Sequence, residues 1–307
     1  MNSRPQIVFG HQSPSATVTI LSELSPALQV SLMIENITPE CKSHVLKLHL
    51  AELIDKGACL HSSPSRGVVR LNSTTVVKFG SYNASEEFTM LDYISKHTNI
   101  PVPQPLGCVR IGKTSYIFIT FIPCEVLERR WPTLTAVQKA SIRRQLNVML
   151  AEMRSLPRPT DTPLGTLSVP HVCKDYHMTI SVSPPDIQTV SQLHDFLVSR
   201  PFSNVSPSYL RWLRSQLRDC YQVVLSHCDL HPRNILVMDD PDGMVRISGI
   251  IDWEMGGWYP EYWEMYKALN TRGGGDDSDW WDHLPEVILG FDREVFERRV
   301  LEQSMMP

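Results

Sequence analysis

Side chains that can hold a phosphate-bound metal ion and orient a hydroxyl group are concentrated in two short segments, residues 227–234 and 250–254. Asp229 and Asn234 stand five positions apart, and Asp252 follows an apolar run that is typical of a strand. A carboxylate can accept a proton from an attacking hydroxyl, whereas asparagine and aspartate oxygens are hard ligands for Mg²⁺. The spacing is therefore typical of phosphoryl-transfer sites.

The nearest known pattern is that of protein kinases, in which H-R-D-x-x-x-x-N is followed by D-F-G. Here Cys228 replaces the arginine, and Asp252-Trp253-Glu254 replaces D-F-G. An isolated aspartate such as Asp229 is more often a turn or helix-cap residue. The complete constellation, placed between apolar strands, favours phosphoryl transfer over that simpler interpretation.

Residues 227–234 and 251–254 resemble the Brenner motif and the metal-binding motif of the aminoglycoside phosphotransferase and choline kinase-like superfamily. Further segments resemble the fungal branch of that family, and they lie at residues 96–103, 127–132, 257–264 and 267–269. The resemblance implies a protein-kinase-like fold, ATP bound between two lobes, and transfer of its γ-phosphate to a hydroxyl of a small molecule. It also implies that Asp229 is the catalytic base and that Asn234 and Asp252 are the magnesium ligands.

The same resemblance places the phosphate-binding lysine at Lys78, which follows an apolar strand pattern. An exposed lysine on an edge strand is an equally good interpretation of that residue from the sequence alone. Glu87 is the matching acid, because it shares a helical face with Met90 and Leu91 and so needs a partner inside the protein. Glu86 is the competing candidate, although it falls off that apolar face.

Three features depart from the pattern of the family. No G-x-G-x-x-G precedes Lys78, so the segment Ser62–Gly67, with one glycine, would have to cover the phosphates. Cys228 stands where a glycine usually precedes the catalytic aspartate, and Pro123-Cys124-Glu125 replaces a common proline-glycine. These changes remove no catalytic group, but they weaken the expectation of ordinary turnover.

The elements that must position these residues change in character along the chain. The first ~35 residues have no clear pattern, and Thr38 is predicted to cap a helix that ends near Asp55. Strands are predicted at residues 67–71 and 75–79, as a hairpin around Asn72-Ser73, and at 106–111 and 115–122, as a second pair around Gly112-Lys113, with a helix at 87–96.

Helices dominate after Pro123. Thr135 and Gln138 form a predicted capping box at the start of a long helix, and Ser206-Pro207 begins another. A surface connection is predicted at 156–183, strands at 223–227, 235–238 and 245–251, and helices at 262–269 and 292–303. We therefore predict an α+β chain with a protein-kinase-like bilobal fold, a β-rich lobe at 1–122 and a helical catalytic lobe at 123–307.

Composition excludes several other classes of protein. The 307 residues are 42% hydrophobic and carry a net charge of −4, which is unlike disordered chains and unlike proteins that bind nucleic acid by bulk charge. The longest apolar stretch is too short to span a membrane, no secretory signal is evident, and the seven scattered cysteines suggest neither disulfides nor zinc. We expect a cytoplasmic protein without nucleic-acid or membrane partners; the sequence does not constrain its oligomeric state.

The acceptor side offers fewer signals. Aromatic residues and aspartates are frequent after Asp252, and together they would suit a cationic amine. Ordinary packing of the aromatics and a solvated acidic loop are the better interpretation. The rival functions are a catalytically silent kinase-like binding protein, which has no need for the full set of polar residues, and a protein kinase, which would carry an Ala-Pro-Glu after Asp252.

Overall fold

A computed structural model describes residues 16–35, 37, 39–176, 180–199, 205–273 and 275–303. The chain divides into two compact units. The first comprises Met1–Asp92 and Pro103–Pro123, and the second comprises Tyr93–Val102 and Cys124–Pro307. The predicted cap Thr38 lies outside the described residues.

Within the described residues the first unit is built on one antiparallel sheet with the strand order β1-β5-β6-β4-β3-β2. The strands are β1 (Val18–Ser22), β2 (Ala58–Ser62), β3 (Arg66–Arg70), β4 (Thr75–Gly80), β5 (Pro105–Ile111) and β6 (Thr114–Thr120). The helices are α1 (Pro26–Ser31), α2 (Pro39–Lys56) and α3 (Ala84–His97), of which α3 continues into the second unit. The predicted strand pairs β3–β4 and β5–β6 are confirmed.

Alternation along β4 puts its residues in turn on the core side of the sheet and on the opposite face. Val77 and Phe79 pack into the buried cluster with residues of α1 and α2. Lys78 points to the other face of the sheet, where Val68 of β3 and Ile117 of β6 are its direct neighbours in the register. Because side chains alternate along β4, Lys78 lies on the face of the sheet opposite the core.

The second unit contains most of the helices. The helices are α4 (Leu127–Arg130), α5 (Ala136–Arg154), α6 (Val190–Val198), α7 (Pro207–Gln216), α8 (Trp263–Asn270) and α9 (Asp292–Gln303). The strands are β7 (Glu125–Val126), β8 (Gly165–Thr166), β9 (Lys174–Tyr176), β10 (Ile180–Val182), β11 (Val223–Ser226), β12 (Ile235–Asp239), β13 (Val245–Ile250) and β14 (Gly257–Pro260).

Local signals in the sequence account for several of these helix starts. Thr135 and Gln138 form the predicted capping box at the start of α5, with Thr135 Oγ1 accepting from the Gln138 backbone N–H at 3.3 Å. Ser206 caps α7, whose first residue is Pro207. The apolar side of α5 is fully buried, for example at Leu146 and Leu150.

Three segments differ from the sequence predictions. The unassigned N-terminal segment contributes β1, which pairs with β5. Residues 156–183, predicted as a surface connection, supply β8–β10 and the buried Asp175, whose carboxylate pairs with Lys267 at 3.0 Å and Arg298 at 2.5 Å. The segment after Gly256 forms β14 before its helix, because its aromatic residues are buried against β11.

No helix in the described part of the chain is both long enough and apolar enough to cross a lipid bilayer.

Candidate active site

The turn between β11 and β12 presents Asp229 to solvent while its neighbours are buried. His227 and Cys228 are 0% and 1% exposed, whereas the Asp229 side chain is 22% exposed. Cys228 has a φ of 66°, in the left-handed region that favours glycine. This conformation gives a physical reason for the glycine usual at this position. Burial raises the pKa of the Cys228 thiol well above its ordinary value, so this cysteine is protonated and unsuited to act as a nucleophile.

Two side chains from the same turn hold the Asp229 carboxylate. Arg233 Nη2 donates to Oδ1 at 2.8 Å and to Oδ2 at 3.1 Å. Asn234 Nδ2 donates to Oδ2 at 2.8 Å and to the Asp229 carbonyl oxygen at 2.9 Å. These bonds fix the rotamer of the carboxylate, with Oδ1 accepting fewer of them than Oδ2. Oδ1 is therefore the better placed oxygen to accept a further hydrogen bond from a hydroxyl.

His227 ties the turn to the segment that carries Asp252. Its Nε2 lies 3.0 Å from the Ile251 carbonyl oxygen, and its Nδ1 lies 3.2 Å from the Asp229 backbone nitrogen. A carbonyl only accepts and a backbone N–H only donates, so the ring is the neutral tautomer with hydrogen on Nε2. The ring also packs edge-on against Trp253 at 4.4 Å between centroids. His227 thus has a positioning role in this geometry.

Glu264 is a site residue that sequence reasoning missed. It lies on α8, is 0% exposed, and accepts the backbone N–H of His227 at 2.6 Å and of Cys228 at 3.2 Å. These charge-assisted bonds satisfy the two buried donors that precede Asp229. A glutamate in the first turn of a helix is ordinarily exposed, so only the apolar neighbours of Glu264 could have signalled its burial.

The hairpin of β12 and β13 brings the two predicted metal ligands to one end. Ile235 pairs with Ile250, and the Ile251 N–H donates to the Asn234 carbonyl oxygen at 2.9 Å, so Asn234 and Asp252 flank the same end of the ladder. Asp252 has φ 66° and ψ 55°, a left-handed conformation that ends the strand and redirects its side chain.

The donor set at this end fits a hard cation. Asn234 Nδ2 donates both of its bonds to Asp229, which orients the amide so that Oδ1 is the atom available to a ligand. The carboxylate oxygens of Asp252 and Glu254 lie within 4.8 Å of each other, and a bound cation would offset their repulsion. Oxygen atoms of this kind suit Mg²⁺.

In the first unit, Lys78 and Glu87 form a buried ion pair. Lys78 Nζ lies 2.8 Å from Glu87 Oε2, and the two side chains are 11% and 2% exposed. The contact predicted from the helical face of Glu87 is therefore present, and Lys78 is not the exposed edge-strand lysine of the simpler interpretation. Glu86 is also buried, at 9% exposure.

His231 and the aromatic and acidic residues that follow Asp252 take part in packing and hydrogen bonds within the protein. His231 lies 3.6 Å from Glu128 and packs edge-on against Trp281, and burial lowers its pKa, so the ring is neutral at pH 7. The aromatic residues after Asp252 are buried, which confirms the packing interpretation; they are Trp253, Trp258, Tyr259, Tyr262, Trp263, Tyr266, Trp280 and Trp281. Asp276 and Asp279 accept hydrogen bonds from the indole N–H groups of Trp281 and Trp131.

Comparison with known proteins identifies the class as a phosphotransferase with a kinase-like fold. A family model for the Phosphotransferase enzyme family (APH) matches residues 66–295, which include the elements from β3 to the start of α9. The chain belongs to that family. A search of curated proteins finds no significant match.

Solved aminoglycoside phosphotransferases share the fold at low sequence identity. The GDP and kanamycin complex of APH(2")-IIia has a TM-score of 0.54 and 14% identity over 83% of this chain and 88% of its own. The streptomycin–ATP complex of APH(2")-IIa gives 0.52 and 14%, with 87% of each chain covered. APH(3'')-Id from Streptomyces rimosus gives 0.52 and 17%, covering 85% of this chain and 98% of that one. The predicted protein-kinase-like fold is confirmed.

Proposed function

We propose that the protein is an ATP- and Mg²⁺-dependent kinase that transfers the γ-phosphate to a hydroxyl group of a small molecule. The observation that carries the proposal is the amide of Asn234, which joins the candidate base to the candidate metal ligand. Asn234 Nδ2 donates to both the side chain and the carbonyl oxygen of Asp229. The Asp229 carboxylate and Asn234 Oδ1, the candidate metal ligand, are therefore held as one rigid group. Membership of a phosphotransferase family supports the reaction class.

In this mechanism Asp229 orients the attacking hydroxyl. The acceptor donates a hydrogen bond to the Asp229 carboxylate, which then receives the proton as the new oxygen–phosphorus bond forms and the bond between the γ-phosphorus and the bridging oxygen of ADP breaks, releasing ADP. Arg233 and Asn234 hold the carboxylate in place before the acceptor arrives, so little reorganisation is needed at the moment of reaction.

Asn234 and Asp252 would hold the magnesium ion, which neutralises charge on the phosphate oxygens when it is bound. Lys78 contributes a second positive charge towards the phosphates of the nucleotide. Glu87 positions that lysine, since a buried ammonium on a β-strand keeps its charge only with a paired carboxylate. The catalytic contribution of the protein is thus positioning and electrostatic stabilisation.

A thermal-shift experiment tests the metal–nucleotide site directly. At 100 times its Kd, a ligand adds about 2.7 kcal/mol to the stability of the folded state. That amount raises Tm by several degrees, at about 2–4 °C per kcal/mol. We expect this rise with Mg-ATP and a much smaller one with ATP and EDTA. No shift at millimolar Mg-ATP would exclude the proposed site.

Two variants separate the roles of the aspartates. Asp229→Asn should leave the Kd of Mg-ATP nearly unchanged while turnover falls by about 10²–10⁴, because a base contacts the hydroxyl and not the nucleotide. Asp252→Asn should weaken Mg-ATP binding and also abolish turnover. Calorimetric Mg-ATP titrations and initial rates measure both. The matched control is Asp239→Asn, on the exposed far end of β12, which should change neither quantity.

The acceptor is found by measuring ATP consumption on a panel of hydroxylated compounds. The panel contains amino alcohols, other hydroxylated metabolites and aminoglycosides, because solved relatives of this fold carry kanamycin, streptomycin and gentamicin. Consumption that depends on an acceptor and is lost in Asp229→Asn would support the proposal. If the Asp229→Asn variant keeps near-normal turnover, the assignment of the base is wrong.

A further inference from the structure

The hairpin that precedes Lys78 has too few glycines to bind phosphates through its backbone alone. Glycine-rich loops cradle phosphates with successive backbone N–H groups, which need close approach of the chain to the ligand. Here the turn from Ser63 to Arg66 uses its own groups internally. Ser63 N donates to the Arg66 carbonyl oxygen at 2.8 Å, and Arg66 N donates to Ser63 Oγ at 3.2 Å. The Arg66 backbone N–H is therefore already bonded within the turn.

The side chain of Arg66 lies on the same face of the sheet as Lys78. Arg66 pairs with Gly80 across β3 and β4, and Val68 pairs with Lys78, so alternation puts Arg66 and Lys78 on one side. This face is opposite the core that contains Val77. The two cations therefore point away from the core on the same surface.

Gly80 makes room for the arginine. A Cβ atom at position 80 would lie 2.9 Å from Arg66 Cγ and 2.6 Å from the Ser65 carbonyl oxygen. Both distances are shorter than real Cβ contacts, so a larger residue would displace the Arg66 stem or the turn. Gly80 thus leaves room both for the Arg66 stem and for the backbone of the turn beside it.

Tyr82 holds the two cations close together. The Arg66 guanidinium lies 5.0 Å from the centroid of the Tyr82 ring, and Lys78 Nζ lies 5.5 Å from the same centroid. The Tyr82 hydroxyl also donates to the Lys78 carbonyl oxygen at 3.3 Å, which fixes the ring against β4. Cation–π contacts favour each cation near the ring, so Tyr82 keeps the Arg66 guanidinium beside Lys78, the proposed phosphate-binding lysine.

We propose that Arg66 is a second phosphate-binding cation, which contacts the polyphosphate of the nucleotide together with Lys78 and takes over the role of a glycine-rich backbone loop. Its planar guanidinium can donate two parallel hydrogen bonds to phosphate oxygens. Tyr82 and Gly80 are positioning residues for it. This inference rests on the proposed function, since it requires that the protein binds a nucleotide.

The test is a comparison of ligands that differ only in phosphate number. Affinities of wild-type protein and Arg66→Ala are measured by calorimetry for Mg-ATP, and by competition for ADP, AMP and adenosine. We expect Arg66→Ala to weaken Mg-ATP binding about tenfold or more, which is 1.4 kcal/mol or more. Adenosine affinity should change by less than about twofold, because adenosine offers no phosphate to the guanidinium.

The matched control is Arg70→Ala on the same face of the same strand. Arg70 stacks its guanidinium over Phe121 at 3.9 Å and donates from Nε to the Asn72 carbonyl oxygen, at the end of β3 away from the turn. Its replacement should leave all four affinities within about twofold. Arg66→Lys should restore part of the ATP affinity, because it keeps the charge but loses the planar fork.

Tyr82→Leu tests the positioning role. It should weaken Mg-ATP binding less than Arg66→Ala does, and the double variant should lose less than the sum of the two single losses, since Tyr82 acts in part through Arg66.

Each outcome separates this inference from the proposed function. If wild-type protein binds Mg-ATP and Arg66→Ala binds it equally well, Arg66 has no phosphate role and the kinase proposal stands. If Arg66→Ala weakens adenosine as much as ATP, the arginine is structural and the inference fails. If wild-type protein binds no nucleotide, both proposals fail.

Discussion

The Lys78–Glu87 pair should behave as one energetic unit. The perturbations are Lys78→Met, Glu87→Gln and the double variant. Each single change leaves one charged group buried without the partner that lies 2.8 Å away in the folded protein. Removing one member of a buried pair costs about 3–5 kcal/mol, whereas replacing both members is often nearly neutral. The double variant should therefore be more stable than either single variant.

The magnitude follows from the burial of both side chains, which are 11% and 2% exposed. A loss of about 3 kcal/mol should lower Tm by about 6–12 °C, at about 2–4 °C per kcal/mol for a chain of this size. The double-mutant cycle should then give a coupling free energy of about 2 kcal/mol or more. Differential scanning calorimetry of the four proteins, with far-UV circular dichroism as a second probe, measures these quantities.

A lysine–glutamate pair in the same unit is the control. Lys56 and Glu52 contact each other on α2 with side chains that are 70% and 55% exposed. Lys56→Met and Glu52→Gln should cause no measurable change in Tm, because water screens such pairs. If the Lys78 and Glu87 single variants also keep their Tm, or if their losses are additive, the reasoning from burial is refuted and Glu86 should be tested as the partner.

Three further outcomes are expected. Glu264→Gln should destabilise the protein by about 2–3 kcal/mol in thermal melts and lower turnover about 100-fold, because it disturbs the hydrogen bonds that hold the turn before Asp229. Glu261 is partly exposed, so the control variant Glu261→Gln should change neither stability nor turnover. Burial lowers the pKa of His194 to about 4 from 6.5, so between these values the unfolded chain binds more protons and stability should fall as pH drops, by up to about 1.4 kcal/mol per pH unit. Melts of His194→Gln across the same range should lose that slope, and an unchanged slope would contradict the assignment. Cys228→Gly should change stability by less than about 1 kcal/mol, since relief of the positive φ offsets the lost thiol contacts. Cys228→Val should lower stability by about 2 kcal/mol or more. Equal effects of the two variants on Tm would count against strain at this position.

Elements whose pattern is local could be predicted from the sequence. The hairpin β3–β4 follows from two valine-containing runs on either side of Asn72-Ser73, and α5 follows from its capping box and the spacing of Leu146 and Leu150. The spacing of Asp229, Asn234 and Asp252 likewise identifies the candidate site, because hydrogen bonds along one turn and one hairpin fix their geometry.

Features that depend on distant partners could not be predicted in this way. Strand β2 exposes all five of its residues, so it has no apolar alternation and exists through pairing with β3. The sequence predicts Asp175 in a polar surface connection. In the structure it is buried, because Lys267 of α8 and Arg298 of α9 form ion pairs with its carboxylate. Glu264 is missed for the same reason, since the backbone N–H groups that donate hydrogen bonds to its carboxylate lie 36 and 37 positions away.

The buried aromatic residues of the second unit have a consequence for spectroscopy. All seven tryptophans of the chain belong to that unit, and none belongs to the first, which carries Lys78 and Glu87. Fluorescence excited at tryptophan wavelengths therefore reports only on the second unit, and six of its seven emitters start from a buried environment, with Trp212 the exposed one at 51%. Comparing that signal with calorimetry would show whether the sheet of the first unit and the turn that carries Asp229 unfold in one transition or in two.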